Sequence, residues 1–282
     1  PRRRPPPPPP PPTPPPPARG APPPPPPAAV ASADNAVVVQ DVPAGRSEVL
    51  PWQSLLEQGL STHGFFLQAF PVVHADDAPL HDEMTLRLRH PDTGAALPAG
   101  HFMPFATRHG LTPALDLETC RLALALLREA PRALALNLSI ESVQSGDFLD
   151  RLVALLSAEP DLARHLWFEI SEHGLGGELQ LLRQLTQRLR PLACRVGIDH
   201  FGRHFSSLPH LHDLGLDYLK IDSSLIAGID DNPGNRAVVK AIASIAGSLD
   251  LLSIAERVQT PAERVVLAEL GVSGLTGPVL AG

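Results

Sequence analysis

The chain has 282 residues, 34 prolines and a formal net charge of -7, but these totals join two unlike parts. Residues 1–27 hold 19 of the prolines, four arginines (Arg2, Arg3, Arg4, Arg19) and no acid, which leaves residues 28–282 at -11 with an ordinary proline density. An acidic body of about 235 residues suits one large α/β domain or two small ones. It disfavours binding to a nucleic-acid polymer, and it holds no apolar run approaching the ~18 residues of a membrane span.

In chain order, the runs Pro5–Pro12, Pro14–Pro17 and Pro22–Pro27 come first. They cannot form helix or central strand, because proline lacks the N–H and fixes φ. They predict a stiff polyproline II spacer, an interdomain linker. Residues 28–46 are Ala-rich and polar without clear periodicity, so the folded boundary is expected near Ser47. The chain starts at Pro1 with no signal peptide and is expected to be a fragment of a longer protein.

Short apolar runs then alternate with amphipathic stretches. Strands are predicted at Phe65–Val73, Met84–Arg89, Leu134–Leu138, Leu166–Ile170, Arg195–Ile198, Leu216–Ile221, Leu252–Ala255 and Val272–Leu275. Helices are predicted at Leu115–Ala130, Leu149–Leu156, Gly177–Leu189, Arg236–Leu249 and Ala262–Leu270, where apolar residues recur every three or four positions. Asn232-Pro233 fits a helix start. Eight strands alternating with helices point to a (β/α)8 barrel, with a doubly wound open sheet as the alternative. The nucleotide loops that would favour the open sheet, GxGxxG or GxxxxGK[ST], are missing. Cys120 and Cys194 each lie among apolar neighbours and are expected to be buried free thiols.

A barrel carries its chemistry at strand C-termini. Asn137, Glu169, Asp199 with His200, Lys220 and Glu256 each follow or interrupt an apolar run, where an unpaired polar group costs free energy. Five successive strands delivering amide, carboxylates and an ammonium to one rim exceed what packing explains. Carboxylates plus an amide are hard oxygen donors that suit Mg²⁺ or Mn²⁺ better than zinc. Lys220 is one of only two lysines beside 21 arginines, and it could orient a water or neutralise a phosphate. The pair His200 and His204 lacks a third ligand at zinc spacing. Trp52 and Trp167 read as packing residues.

The segments Glu83-Met-Thr-Leu-Arg-Leu-Arg-His-Pro91, Leu136-Asn-Leu-Ser139, Phe168-Glu-Ile-Ser-Glu172, Asp199-His-Phe-Gly202 with Ser206-Ser-Leu208, Leu219-Lys-Ile-Asp222 and Ala255-Glu256 together resemble the EAL domain. That family binds the bacterial second messenger cyclic di-GMP and, when intact, hydrolyses it to linear pGpG. The resemblance implies a modified TIM (β/α)8 barrel over residues 47–282 whose first strand runs antiparallel. It implies Glu83, Asn137, Glu169 and Asp199 as first-metal ligands, for Mg or Mn, and Lys220 and Glu256 as the catalytic pair. It implies Arg87 as a phosphate contact, and Gln68 and Asp222 as further ligand-binding residues.

The departures are as informative. Glu-Ala-Leu reads Glu83-Met84-Thr85, and the second aspartate of Asp-Asp-Phe-Gly, which helps hold the second metal, is His200. The Gly after the late glutamate is Arg257, the Glu two positions on is Gln259, and the late Gln-Gly reads Thr276-Gly277. These departures, with the segments Trp167–Gly174, His200-Phe-Gly-Arg203, Asp231-Asn-Pro-Gly-Asn235 and Thr276-Gly-Pro278, resemble the LapD-like branch of membrane-anchored receptors that sense cyclic di-GMP without degrading it. The resemblance implies upstream HAMP and GGDEF regions of the same protein, a membrane anchor outside this sequence, a cytoplasmic place beside the inner membrane, and contact with another domain or a second copy as a homodimer. Three readings follow: a ligand-sensing receptor with a degenerate site, an active Mg/Mn-dependent phosphodiesterase, or an interaction scaffold without ligand, against which the retained site residues count.

Overall fold

The computed structural model describes residues 51–175, 178–203 and 208–281. The proline-rich segment, the boundary at Ser47, Gly177, His204 and the pair Ser206-Ser207 lie outside the described residues. Nine strands form one sheet: β1 (Phe65–His74), β2 (Pro79–Arg89), β3 (Ala96–Pro98), β4 (Leu134–Asn137), β5 (Leu166–Ser171), β6 (Arg195–Phe201), β7 (Tyr218–Ile221), β8 (Leu252–Ala255) and β9 (Gly274–Thr276). Their order is β1-β9-β8-β7-β6-β5-β4-β2-β3, and β1 also pairs with β2, which closes eight strands into a barrel and leaves β3 as an appended hairpin strand. β1 is antiparallel to both neighbours, whereas β2 and β4 to β9 run parallel. The open-sheet alternative is thereby excluded.

The predicted strands recur with shifted ends. β2 begins five residues earlier, at Pro79, because its polar start Pro79–Asp82 is held by pairing to β1 rather than by hydrophobic alternation. β3 and the helices Trp52–Thr62 and Ala99–Arg108 carry no strong sequence signal. The second of those helices contains Pro104, normally a helix breaker. The Asn232 cap is as expected: its side-chain oxygen accepts the Asn235 N–H at 3.0 Å as the helix Pro233–Ser248 begins.

Strand side chains alternate between two environments. Leu134 and Leu136, Phe168 and Ile170, Val196 and Ile198, Leu219 and Ile221 face the helices and join the main core. Each such buried side chain contributes roughly 1.5–3 kcal/mol by leaving water. The intervening residues point into the barrel. Val72, Ala135, Trp167, Tyr218 and Ile254 form a separate interior cluster, with His81 tilted against Trp167 at 4.5 Å between ring centroids. This layer plugs the barrel. Advancing two residues along each strand from His81, Ala135, Trp167, Gly197, Tyr218 and Ile254 reaches Glu83, Asn137, Glu169, Asp199, Lys220 and Glu256. The two-residue period of a strand therefore lifts the polar set as one ring above an apolar plug, at the C-terminal mouth.

Gly197 is needed for that plug. A Cβ there would fall 2.5 Å from the Tyr218 ring, a ring with no exposed surface. Gly197→Ala is expected to lower unfolding free energy by about 1–3 kcal/mol through overpacking. Gly247→Ala, in open space near the end of a helix, is expected to be neutral or stabilising. Denaturant unfolding monitored by circular dichroism measures both, and an unchanged midpoint for Gly197→Ala would contradict the packing assignment.

Candidate functional site

Lys220 is 2% exposed, and its ammonium is the hub of the mouth. Nζ lies 2.9 Å from Glu83 Oε2, 2.7 Å from Glu169 Oε2 and 3.1 Å from Asp199 Oδ1. Burying an ammonium is costly unless opposite charges surround it. Burial alone would depress the Lys220 pKa, but Glu169, Asp199 and Glu83 reverse this and hold it well above its ordinary value. Glu169 is fully buried, and burial pushes its carboxyl up to about 8 against the pull of Lys220. Asp199 feels the same burial, yet Lys220 and hydrogen bonding bring it down to about 2. The buried Asp199 Oδ1 has no hydrogen bond, although it sits 3.1 Å from the ammonium; the contact is an ion pair without hydrogen-bond alignment. Beneath the cluster, the Tyr218 hydroxyl donates to Glu169 Oε1 at 3.2 Å.

A second group centres on His200, whose backbone is left-handed at φ 57°. Its backbone N–H donates to Glu256 Oε1 at 3.1 Å, and its ring Nδ1 lies 3.0 Å from Glu256 Oε2. The same ring is 3.4 Å from Asp199 Oδ2 through Nε2 and 3.5 Å from Asp222 Oδ2 through Nδ1. The hydrogen bond to Glu256 raises the His200 pKa to about 9, which favours the protonated ring at neutral pH when no metal is bound. Burial raises Glu256 to about 7 despite that partner. Asp222 is fully buried. Its Oδ1 accepts the Ser224 N–H at 2.9 Å as a helix cap, and its Oδ2 pairs with Arg203 Nε at 3.1 Å.

Ligand-facing candidates line the β1–β2 side. Arg87 Nε donates to Gln68 Oε1 at 2.9 Å, so Gln68 steadies the guanidinium. Phe70 pairs opposite Glu83 in the β1–β2 register and is 38% exposed, with the Arg87 guanidinium carbon 6.0 Å from its ring centroid. Asn137 ends β4 exposed. Thr276 Oγ1 donates to the Pro71 carbonyl at 3.0 Å, tying β9 to β1. Glu172 is buried and accepts the Gly202 N–H at 3.0 Å. Arg257 has φ 52°, a left-handed backbone that glycine adopts freely and an arginine adopts at a cost of about 1–2 kcal/mol.

The structure thus gathers Glu83, Glu169, Asp199 and Lys220 into one cluster and His200, Glu256 and Asp222 into an adjoining one, with Asp199 shared. Sequence reasoning assigned no role to Phe70, Arg203 or Tyr218. An exposed aromatic next to a proline gave too little signal, and Arg203 entered only as the end of the segment His200-Phe-Gly-Arg203; the fold sets Arg203 on Asp222 and Tyr218 in the layer beneath the mouth. The carboxylates of Glu83, Glu169 and Asp199, which meet at Lys220, are hard oxygen donors of the kind a divalent cation takes, and Asp199, His200 and Glu256 carry ligand atoms within 4.8 Å of one another. Trp52 stacks on Phe105 and Trp167 fills the barrel, both as packing residues. Cys120 and Cys194 are free and buried. Among the described residues no helix is long and apolar enough to cross a membrane.

Similarity to known proteins agrees with this geometry. The cyclic di-GMP phosphodiesterase PdeF of Escherichia coli is 29% identical over 227 residues, covering 79% of this chain and 30% of that protein. The EAL domain of FimX from Pseudomonas aeruginosa, solved bound to c-di-GMP, superposes with a TM-score of 0.76 at 28% identity over 82% of this chain and 96% of that one. The S helix-GGDEF-EAL portion of Vibrio cholerae LapD shares the fold, with a TM-score of 0.75 at 21% identity over 80% of this chain and 55% of that one. The chain thus spans less than a third of PdeF. The EAL domain profile matches residues 53–282, and the chain belongs to the EAL domain family.

Proposed function

We propose that this chain is a cyclic di-GMP receptor domain whose EAL site has lost hydrolysis. One observation carries the reading. The His200 ring, at the position of the family's second-metal aspartate, lies within 3.0–3.5 Å of Asp199, Asp222 and Glu256. An imidazolium supplies one positive charge and no lone pair, so it neutralises the pocket without polarising a nucleophile. Two features support ligand binding: Arg87, hydrogen-bonded to Gln68, offers a fork suited to a phosphate, and Phe70 offers an exposed ring face suited to a base. Where a divalent ion binds, Glu83, Asn137, Glu169 and Asp199 would hold it, and it would supply charge stabilisation to a bound phosphate oxygen. Residues 1–46 then act as the connector through which occupancy is read by preceding GGDEF and HAMP regions or by a second copy, at the cytoplasmic side of the inner membrane.

The active phosphodiesterase is the second reading. Lys220 favours it, and so does Glu256, whose carboxyl at about 7 is poised for proton exchange near neutrality.

Titration calorimetry of the full chain with cyclic di-GMP is expected to give saturable binding, weakened about tenfold or more in Arg87→Ala through loss of a charge-assisted hydrogen bond. No detectable heat at tens of micromolar ligand would remove the receptor reading. Chromatography after incubation with Mn²⁺ is expected to show no pGpG from the native chain, and product only from the variant carrying both His200→Asp and Thr276→Gln. Turnover by the native chain would establish the enzyme reading instead.

The protonated His200 also gives stability a pH signature. Its folded pKa of about 9 lies above the ordinary 6.5, so its contribution is complete below about 6.5 and is lost as pH rises through 9. Glu256, raised from 4.5 to about 7, changes stability in the same direction over its own range. In chelator-treated protein, unfolding free energy is expected to fall between pH 6.5 and 9, and to fall less in His200→Gln. Equal slopes in the two proteins would contradict the charged ring.

A further inference from the structure

The barrel has a second mouth. Two residues before the plug along the strands lie Pro79, Ala133, His165, Arg195 and Leu252. These inward positions, with Trp167 as floor and His74 and Arg164 at the edge, line a cavity of about 490 Å³. It opens at the N-terminal ends of the parallel strands, with the plug between it and the carboxylate cluster.

Its charge is unusual for this molecule. The body is acidic, at -11 over residues 28–282, yet the lining holds two arginines and two histidines and no carboxylate. Arg128, Arg132, Arg183, Arg188 and Arg264 each hold an acidic partner within 2.5–2.8 Å. Among the described residues neither Arg164 nor Arg195 does, a state they share with Arg87, Arg89, Arg108, Arg190, Arg236 and Arg257; what sets the pair apart is that both line one cavity. Asp217 is the acid whose charge reaches Arg195, but its Oδ2 accepts the Val196 N–H at 2.8 Å. The Arg195 guanidinium instead lies over the Trp167 ring, 4.5 Å from its centroid. Behind Trp167, His81 is 4% exposed with neither ring nitrogen hydrogen-bonded.

We propose that this lower mouth is an anion site for a phosphorylated small molecule, held by Arg164 and Arg195 and separate from the cyclic di-GMP mouth. Guanidinium forks match phosphate oxygens in pairs, and the volume is that of a small-molecule pocket, roughly 300–1,000 Å³. An aromatic floor under one guanidinium holds its plane in place and excludes water from one side of it.

Trp167 is the built-in reporter. The chain has two tryptophans, so Trp52→Phe leaves Trp167 alone. The full chain carrying Trp52→Phe would be titrated with inorganic phosphate, pyrophosphate and GMP, at fixed salt and with chelator present to keep metal-bridged anions off the acidic mouth. A saturable change in Trp167 fluorescence in the millimolar range or tighter is expected with at least one probe. Arg164→Gln, which keeps the Arg195 guanidinium over the Trp167 ring, is expected to weaken it about tenfold, as is Arg195→Gln when affinity is read by equilibrium dialysis. Arg87→Ala, at the other mouth, is expected to leave it unchanged. No saturable response to any probe would overturn the proposal. So would a response that survives both lower-mouth substitutions, or one abolished by Arg87→Ala.

Discussion

A buried ammonium organises this site. Lys220 sits almost without solvent at the level where Glu83, Glu169 and Asp199 converge. Any one of these charges alone would be expelled from an interior of low polarizability. Together they are mutually required: removing the lysine would leave three carboxylates facing one another, and removing a carboxylate would strand the ammonium. Barrel closure between β1 and β2 makes the arrangement available, because Glu83 comes from β2 and the others from strands across the mouth.

The same constraint explains the second group. Asp199, Asp222 and Glu256 bring three acids to one spot, and with aspartate at position 200 the spot would hold four. A histidine there converts an acid-rich pocket, which calls for a divalent ion, into one that carries its own cation. The ring bonds to Glu256 and leans on Asp199 and Asp222. The ring therefore offsets part of the charge of that acidic pocket when no metal is bound.

Much of this was legible in the sequence because strands alternate. The polar residues Asn137, Glu169, Asp199, Lys220 and Glu256 each ended an apolar run, and the two-residue period carries them to one rim. Spacing gives order, not distance. That Lys220 would contact three carboxylates while His200 bonds to Glu256, 56 positions away, depends on barrel closure. β3 and the helices Trp52–Thr62 and Ala99–Arg108 were not legible, since their hydrophobic patterns are short or interrupted by Pro104. The lower mouth was least visible. Its residues come from five separate strand starts, and Arg195 reads as an ordinary surface cation until Trp167 is seen beneath it.

The central claim is that His200 is a resident cation. An NMR titration of the imidazole C–H resonances, with His200 assigned by its absence in His200→Gln, tests it most directly. The account predicts a resonance that stays in its protonated position through neutral pH, titrates near 9, and does not move when Mg²⁺ is added at pH 7. A His200 resonance titrating near 6.5, or displaced by Mg²⁺, would contradict it.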